Sequence, residues 1–515
     1  MTSRGEKLSI VGDRAPIFWA GCAAISAGVL LHLPMLAMAH SMGNHLAGMP
    51  MDSGMWLGMG LILIGVPLAC FGALPRHRTA HGDHAGTNFE APDSTPLNRW
   101  HAATLLVLTL GLIIDVMKPA TLGFVLPGMA AEYGMPKSQV ALLPLVALTG
   151  TTVGSFLWGW LADVYGRRVS ILLSTILFVS TAICGAMPAF TWNLVMCFLM
   201  GTSAGGMLPV IYTLLAEVMP PRHRSWVLVL VGGTGLVGGY LAASGAALVL
   251  EPVYGWRVLW LQGFPSGILL LALARFIPET PRFLAESGRL AELAQMQRRF
   301  GLAPKPRPAQ PPADTPSSAT HHRITAALVM TALCWSFVNF GLLLWLPSDL
   351  QARGYSAAVA SGILAKSSLF AFPTVLFAAW FYAQRSSKWT LVGTVGLTLI
   401  GLIGALLPAD LLSQQPVLIT VIALLIVGTN GTIAVLLPYT AENFPLGTRG
   451  RATGLVAGSS KFGGVAVQIA ALAGFAPTLV GAAVALLIPT AASAAMIAWF
   501  GRETRGRSLR ELEAE

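Results

Sequence analysis

The sequence predicts an all-α polytopic membrane protein of about fourteen spans, two leading helices followed by two sets of six. Three observations carry this. Only 10% of the 515 residues are charged and 55% are hydrophobic, with a mean hydropathy of +0.68; soluble domains carry about 25% charged residues. A chain of this length cannot hide so much apolar surface by folding on itself. Apolar runs of roughly 20 residues, enough to cross a bilayer as a helix, recur from end to end. The runs lack the alternation of barrel strands, which leaves the helix as the spanning unit.

The runs fall at 15–39, 55–74, 101–126, 139–161, 169–188, 192–218, 225–249 and 257–277, then at 324–348, 357–383, 389–408, 415–440, 451–475 and 478–500. Two polar stretches punctuate them. Residues 1–100 form an extension with two helices and a linker, 101–277 a first six-helix bundle, and 278–323 a central loop. Residues 324–500 form a second six-helix bundle and 501–515 a tail. The central loop contains "LAPKPRPAQPPADTPSSATHH", whose prolines read as a linker with poorly ordered parts.

Charge position sets the orientation. With the N-terminus inside, 26 of the 32 Lys and Arg lie on the inner side, three outside (Lys137, Arg257, Arg353) and three within spans. Basic residues favour the cytoplasmic side, so both termini are expected there. The net charge of +10 is thus a topological signal, with the lipid bilayer as partner and no nucleic acid. Arg4, Lys7 and Arg14 precede an apolar run too long for a cleaved leader, so a retained helix is expected. The five cysteines form no CxxC pair and read as small buried hydrophobes.

The two sets of six echo each other. "AEVMPPRHR" (216–224) and "AENFPLGTR" (441–449) both fit A-E-x-x-P-x-x-x-R, pairing Glu217 and Arg224 with Glu442 and Arg449. "GWLADVYGRRV" (159–169) aligns with an eroded copy, "AWFYAQRSSKW" (379–389), in which Ala383 replaces Asp163 and Ser387 replaces Arg167. Such a repeat around a long central loop suits a transporter built from two similar bundles.

"GWLADVYGRR" resembles the loop signature of the major facilitator superfamily. "PETPRFL" (278–284) and "ETRGRSLREL" (503–512) resemble the loop and tail motifs of its sugar-porter branch. Asp115 midway along the first core span, "VNFGLLLWLP" (338–347) and "SKFGG" (460–464) are similar to the metabolite and aromatic-acid:proton symporters of that superfamily. The resemblance covers residues of about 100 to 512 and implies a 6+6 bundle with two added N-terminal helices. It further implies alternating access, a location in the bacterial inner (plasma) membrane, and ion pairs that latch the inner gate. The residues placed for that latch are Asp163, Arg167, Arg168, Glu217, Arg224, Glu279, Arg282, Glu442 and Arg449. The missing partners in the second loop imply an asymmetric latch that depends mainly on the first half.

Ionisable groups at bilayer depth are costly, so they usually face a bundle interior or a watery cavity. Asp115, Lys118, Lys366 and Lys461 are four such groups, nominally +2 together. A positive cavity suits a small organic anion. Asp115 is the candidate proton carrier, tuned by Lys118 at i+3, and Pro119 marks a local break. Lys118, Lys366, Lys461 and Asn339 are candidate substrate contacts. The competing reading makes Asp115 and Lys118 a structural pair and lets Lys366 and Lys461 snorkel. The glycines of "VGGTGLVGGYLAASGA", Gly235 and Gly239 among them, read as a close-packing face.

The expected function is proton-coupled symport of a small organic anion. Alternatives are a sugar transporter, a copper-type metal transporter using His40, Met42, His45, Met49 and Met51 of the outer loop, or a non-transporting membrane sensor. "GTSAG" (201–205) matches G-x-S-x-G, but no strand, base or acid accompanies it. No enzyme activity, cofactor or resident metal is expected.

Overall fold

The computed structural model describes residues 14–74, 87–92, 94–306, 319–444, 446–475 and 478–504. Among them, fourteen helices are long and apolar enough to cross a membrane. Spans 1 to 8 are Ala15–Ser41, Ser53–Ala73, Arg99–Tyr133, Lys137–Tyr165, Arg167–Ala186, Phe190–Val218, Pro221–Tyr254 and Val258–Phe276. Spans 9 to 14 are His322–Ala352, Ala357–Gln384, Ser387–Gly404, Gln415–Asn443, Gly450–Leu472 and Leu479–Phe500. Arg4, Lys7, Pro445 and the tail motif beyond Thr504 lie outside the described residues, as does the side chain of Arg449.

Contacts group the chain into two compact units. The first holds Met1–Gly111, Val153–Arg222 and Trp260–Arg307. The second holds Leu112–Thr152, His223–Leu259 and Pro308–Glu515. The units do not follow the six-plus-six division of the sequence. Leu112–Thr152 and span 7 pack with the second set of six, because small residues let them approach: Gly233 abuts Val375, and Gly238 lies against Ile113 and Phe372.

In the first unit, spans 1 and 2 form a hairpin whose glycines recur every seven residues: Gly21 and Gly28 against Gly58, Gly65 and Gly72. A Cβ at Gly21 would come within 2.4 Å of the Ala69 nitrogen, and one at Gly72 within 2.3 Å of the Phe18 nitrogen. A seven-residue repeat of small residues keeps one seam facing its partner along the whole hairpin. The hairpin packs on span 5. The loop after span 1 is tied to the same region, with Leu46 buried and the Gly48 N–H donating to the Pro188 carbonyl at 3.1 Å. The two added helices therefore brace span 5.

"GTSAG" is a packing seat. A Cβ at Gly154 would meet the Thr202 oxygen at 2.1 Å, and Trp158 Nε1 donates to that same carbonyl at 2.6 Å. Ser203 is buried and spends its hydroxyl on the Met200 carbonyl at 2.7 Å.

The central loop carries regular structure ahead of its Pro-rich stretch, of which residues 307–318 lie outside the described residues. Two short helices, Pro281–Glu286 and Leu290–Phe300, follow span 8. The second buries Leu293, Met296 and Phe300 on one stripe and ends at Gly301, whose φ of 68° closes it. Residues Ala303–Pro306 then pair antiparallel with Thr87–Glu90. The linker after span 2 is thus stitched to the central loop by backbone hydrogen bonds; the four-residue strands carry no alternation a sequence reading could detect.

In the second unit, span 9 packs on spans 12, 13 and 14, around Leu328, Ala332, Leu391, Leu436 and Tyr439. Span 3 runs as one helix through Pro119 and Pro127, so the expected break at Pro119 does not form. Pro119 still cannot donate to the carbonyl of Asp115, four residues earlier. Buried helices tolerate this because neighbours can satisfy the freed group.

Candidate functional site

The deep charges do not all converge. Asp115 is buried, and its Oδ1 has no hydrogen-bond partner. The charge it feels is that of Lys461 on span 13, whose side chain is partly exposed. Sequence spacing offered only Lys118 as partner. Lys118 lies one turn along the same helix and is fully buried.

Glycines on two neighbouring spans set this geometry. A Cβ at Gly235 would lie 2.5 Å from Leu112, and one at Gly239 would lie 2.6 Å from Val116. The expected close-packing face of span 7 therefore sits against span 3 around Asp115. On span 13, Gly463 and Gly464, two and three residues after Lys461, pack on Ser336 and Phe340 of span 9. Ser336 donates to the Ser460 carbonyl. "SKFGG" holds Lys461 because its small residues seat span 13 on span 9.

Span 9 carries a π-helical stretch, Phe337–Leu343, containing the half-buried Asn339. Such widened turns release carbonyls from the regular ladder and recur at functional sites. Here the Phe340 carbonyl accepts from Gln468 Nε2 at 2.7 Å, and Gln468 Oε1 accepts from Trp345 Nε1 at 3.2 Å. Gln468 lies seven residues beyond Lys461 and is fully buried. Tyr240 donates to the Leu343 carbonyl at 3.4 Å, with its ring 6.0 Å from that of Phe124. Gln468 and Tyr240 escaped the sequence reading, since nothing local marks a polar group whose partner lies on another helix.

Lys366 separates from the cluster. Its side chain is exposed on a face of span 10 shared with Leu369, Phe370, Leu376, Phe377 and Trp380, all exposed. An apolar stripe of that kind faces lipid, and a lysine there reaches for the interface. The structure thus places Lys366 on an exposed stripe and Asp115 in the interior.

At the basic end, the Glu279 carboxylate accepts from the backbone N–H groups of Arg167 (2.8 Å), Arg168 (3.2 Å) and Thr280 (3.0 Å). It caps the start of span 5, where backbone donors are unmatched and the helix dipole is positive. Burial pushes the Glu279 carboxyl above the usual range, against the pull of those N–H bonds and of Arg289 and Arg167. Gly166 precedes the cap with φ at 100°, and a Cβ there would lie 2.2 Å from Glu279 Oε2. Arg167 pairs with Asp163 at 3.3 Å and with Glu217 at 3.8 Å. Arg282 pairs with Glu286 at 2.9 Å on the surface, within charge range of Glu217 and Asp163.

The second half has its own cluster. Glu442 accepts from Tyr382 (2.7 Å), Ser225 (2.7 Å) and Thr504 (2.6 Å). Arg224 stands one residue before Ser225 at the start of span 7. Glu503 accepts from the Ser387 N–H at 2.9 Å and from the hydroxyls of Ser387 and Ser386. At the opposite end, Arg257 and Glu132 form a buried bidentate pair, 2.7 and 3.0 Å, with Trp256 Nε1 donating to the same carboxylate at 2.9 Å. In the outer loop, His40 Nδ1 lies 3.3 Å from Asn44 Oδ1. Among the described residues, no three His, Cys, Asp or Glu side chains gather closely enough to hold a metal.

Fourteen apolar helices of membrane-spanning length, buried charges and an internal repeat define a membrane transporter rather than an enzyme. The chain belongs to the Major Facilitator Superfamily, whose profile matches residues 108–468. It is 27% identical over 445 residues to the niacin transporter NiaP of Acinetobacter baylyi, covering 82% of this chain and 98% of that one. It is 27% identical over 400 residues to the 4-hydroxybenzoate transporter PcaK of the same organism, covering 72% and 84%. Among solved structures, the partially occluded inward-open xylose transporter XylE from E. coli superposes with a TM-score of 0.62 at 16% identity, covering 80% of this chain and 100% of that one. That likeness concerns the fold alone.

Proposed function

We propose that the protein is a proton-coupled symporter of a small aromatic or heteroaromatic monocarboxylate, held in the bacterial inner membrane with both termini cytoplasmic. The observation that carries this reading is the interaction of buried Asp115 with Lys461 across spans 3 and 13. With the site empty, the two charges serve each other. Asp115 takes a proton on its unpartnered Oδ1 and releases Lys461, whose ammonium then receives the substrate carboxylate. The proton and the anion enter together, and the site stays neutral. Neither binds alone without stranding a charge in low dielectric, which is a physical basis for coupling.

The rings of Phe124, Tyr240 and Phe340 supply aromatic surface on spans 3, 7 and 9, and Lys118 and Asn339 stand by as further contacts. The relatives named for niacin and 4-hydroxybenzoate support the substrate class, since both compounds join an aromatic ring to a carboxylic acid.

The test is uptake of nicotinate and 4-hydroxybenzoate by proteoliposomes under imposed gradients. An alkaline interior is expected to drive accumulation, and a membrane potential alone is not. Asp115→Asn is expected to abolish accumulation yet keep exchange of internal for external substrate. Accumulation that survives Asp115→Asn sinks the assignment. Lys461→Gln is expected to weaken apparent affinity at least about tenfold, the scale of one charge-assisted bond.

A further inference from the structure

A second polar cavity lies in the first unit at the basic end, apart from Asp115 and Lys461. Its volume is about 50 Å³, and its walls include Trp100, Arg168, Arg275, Glu279, Glu292 and Arg299. One water needs roughly 10–15 Å³ by the same measure, so the space suits a group the size of a phosphate.

The charges in this cavity are unequally matched. Glu279 is consumed by three backbone N–H groups, and Glu292 by a two-pronged pairing with Arg289 at 2.8 and 2.7 Å. Both carboxylates thus have their hydrogen bonds, and their charge also falls on Arg168, but two donors of Arg168 stay open. Its side chain belongs to a residue only 7% exposed, and its Nε and Nη2 have no hydrogen-bond partner. A buried guanidinium with two open donors is costly unless something accepts from it. Arg299 lies over the Trp100 ring at 4.2 Å, which fixes the guanidinium plane and leaves its edge donors available. Arg275, over Phe276 at 4.8 Å, stands exposed at the end of span 8.

We infer that this cavity is an oxyanion site for a phosphate group, held in the fork of Arg168 with Arg275 and Arg299 at its mouth. Guanidinium forks match the oxygens of a tetrahedral phosphate better than a single halide does. Arg168 also begins span 5 beside Glu279, so an occupant ties the short helix Leu290–Phe300 to the capped end of span 5. Occupancy therefore stabilises the latch of the first half and needs no substrate in the central site. The same phosphate chemistry comes from a lipid head group at the membrane edge or from free phosphate in solution.

Thermal unfolding of the delipidated full-length protein in detergent separates these sources. One arm titrates inorganic phosphate against chloride at matched ionic strength. The other compares micelles of a zwitterionic detergent with the same micelles carrying phosphatidylglycerol. A saturable rise in Tm is expected in at least one arm; a rise with phosphate assigns the free anion, and one with the lipid assigns the head group. The double variant R275Q/R299Q is expected to weaken apparent affinity about tenfold or more and R168Q to abolish the response, each guanidinium being worth a charge-assisted bond. R275Q/R299Q changes accessible side chains, so it reports even where R168Q does not fold. No rise in either arm, a rise equalled by chloride, or an undiminished rise in R275Q/R299Q overturns the proposal.

Discussion

The two halves of the chain solve one problem at their basic ends with different chemistry. Each follows its sixth helix with Glu-Thr, Glu279-Thr280 and Glu503-Thr504, and each glutamate caps the start of its own third helix. In the first half the neighbours of that cap are arginines, with Arg167 reaching Asp163 and Glu217. In the second half they are hydroxyls, from Ser386, Ser387, Thr504 and Tyr382. The eroded loop "QRSSK" has therefore not lost its function in the fold. It keeps the helix cap, to which the hydroxyls of Ser386 and Ser387 add donors. The cap is thus common to both halves, while the pairing of Arg167 with Asp163 and Glu217 is an addition described in the first.

The largest expected difference comes from the residue before each cap. Gly166 has φ at 100° with Glu279 against its missing Cβ, whereas Ser386 has φ at −164°, which any residue adopts. Gly166→Ala is expected to cost about 3 kcal/mol from the backbone region and the clash together. Ser386→Ala forfeits an N-cap oxygen and is expected to cost about 1 kcal/mol. Thermal unfolding of the two variants in detergent measures the gap, and equal losses would mean that the first cap is not held as described.

A finer contrast lies in the two threonines. Thr504 donates to Glu442 at 2.6 Å, and Thr280 is the hydroxyl neighbour of the buried Glu217 carboxylate. Thr504→Val is expected to cost about 1–2 kcal/mol, because it leaves a carboxylate short of a donor. Thr280→Val is expected to cost less, about 0.5–1 kcal/mol, because Glu217 keeps Arg167 within 3.8 Å. A Thr280→Val loss larger than that of Thr504→Val would reverse this order.

These contrasts show which parts of the molecule a sequence can disclose. Spans were legible because bilayer crossing demands long apolar runs, and the repeat was legible in A-E-x-x-P-x-x-x-R. The matching Glu-Thr pairs stood in plain view but passed unmatched, since Pro281-Arg282 and Arg505-Gly506 follow them differently. Asp115 and Lys461 were each conspicuous alone. That each lies within charge range of the other depends on how Gly235, Gly239, Gly463 and Gly464 seat spans 3 and 13, and no local pattern encodes it. Lys366 illustrates a related limit. Helices in lipid are apolar on both their packed and their lipid faces, so the stripe carrying Lys366 looked like any other.

The pH response should also divide the halves. Burial raises the Glu279 carboxyl above its free value of about 4.3. The folded state therefore holds a proton that the unfolded chain has lost. The resulting stability is fully present below about pH 4.3 and fades as pH rises through the raised value. The Tm advantage of wild type over Glu279→Gln is expected to shrink across that window, by at most about 1.4 kcal/mol per pH unit. A difference flat in pH would mean that Glu279 does not titrate as its burial implies.

Salt gives the smallest and most selective probe. Asp163 is largely exposed, so its pairing with Arg167 feels mobile ions and is worth about 0.2–1 kcal/mol at low ionic strength. The hydroxyl donors around Glu442 and Glu503 carry no net charge to screen. Cysteines introduced at exposed sites near each cap would report accessibility to a thiol reagent as salt rises from 50 to 500 mM, a range over which the Debye length falls from about 14 to 4 Å. Labelling near the first cap is expected to rise with salt, and labelling near the second to hold steady. Arg167→Gln is expected to remove the response of the first by leaving no pair to screen. A salt response that persists in Arg167→Gln, or appears equally in both halves, would locate the screened charges elsewhere and dissolve the distinction between a cap flanked by an exposed ion pair and one flanked by hydroxyls.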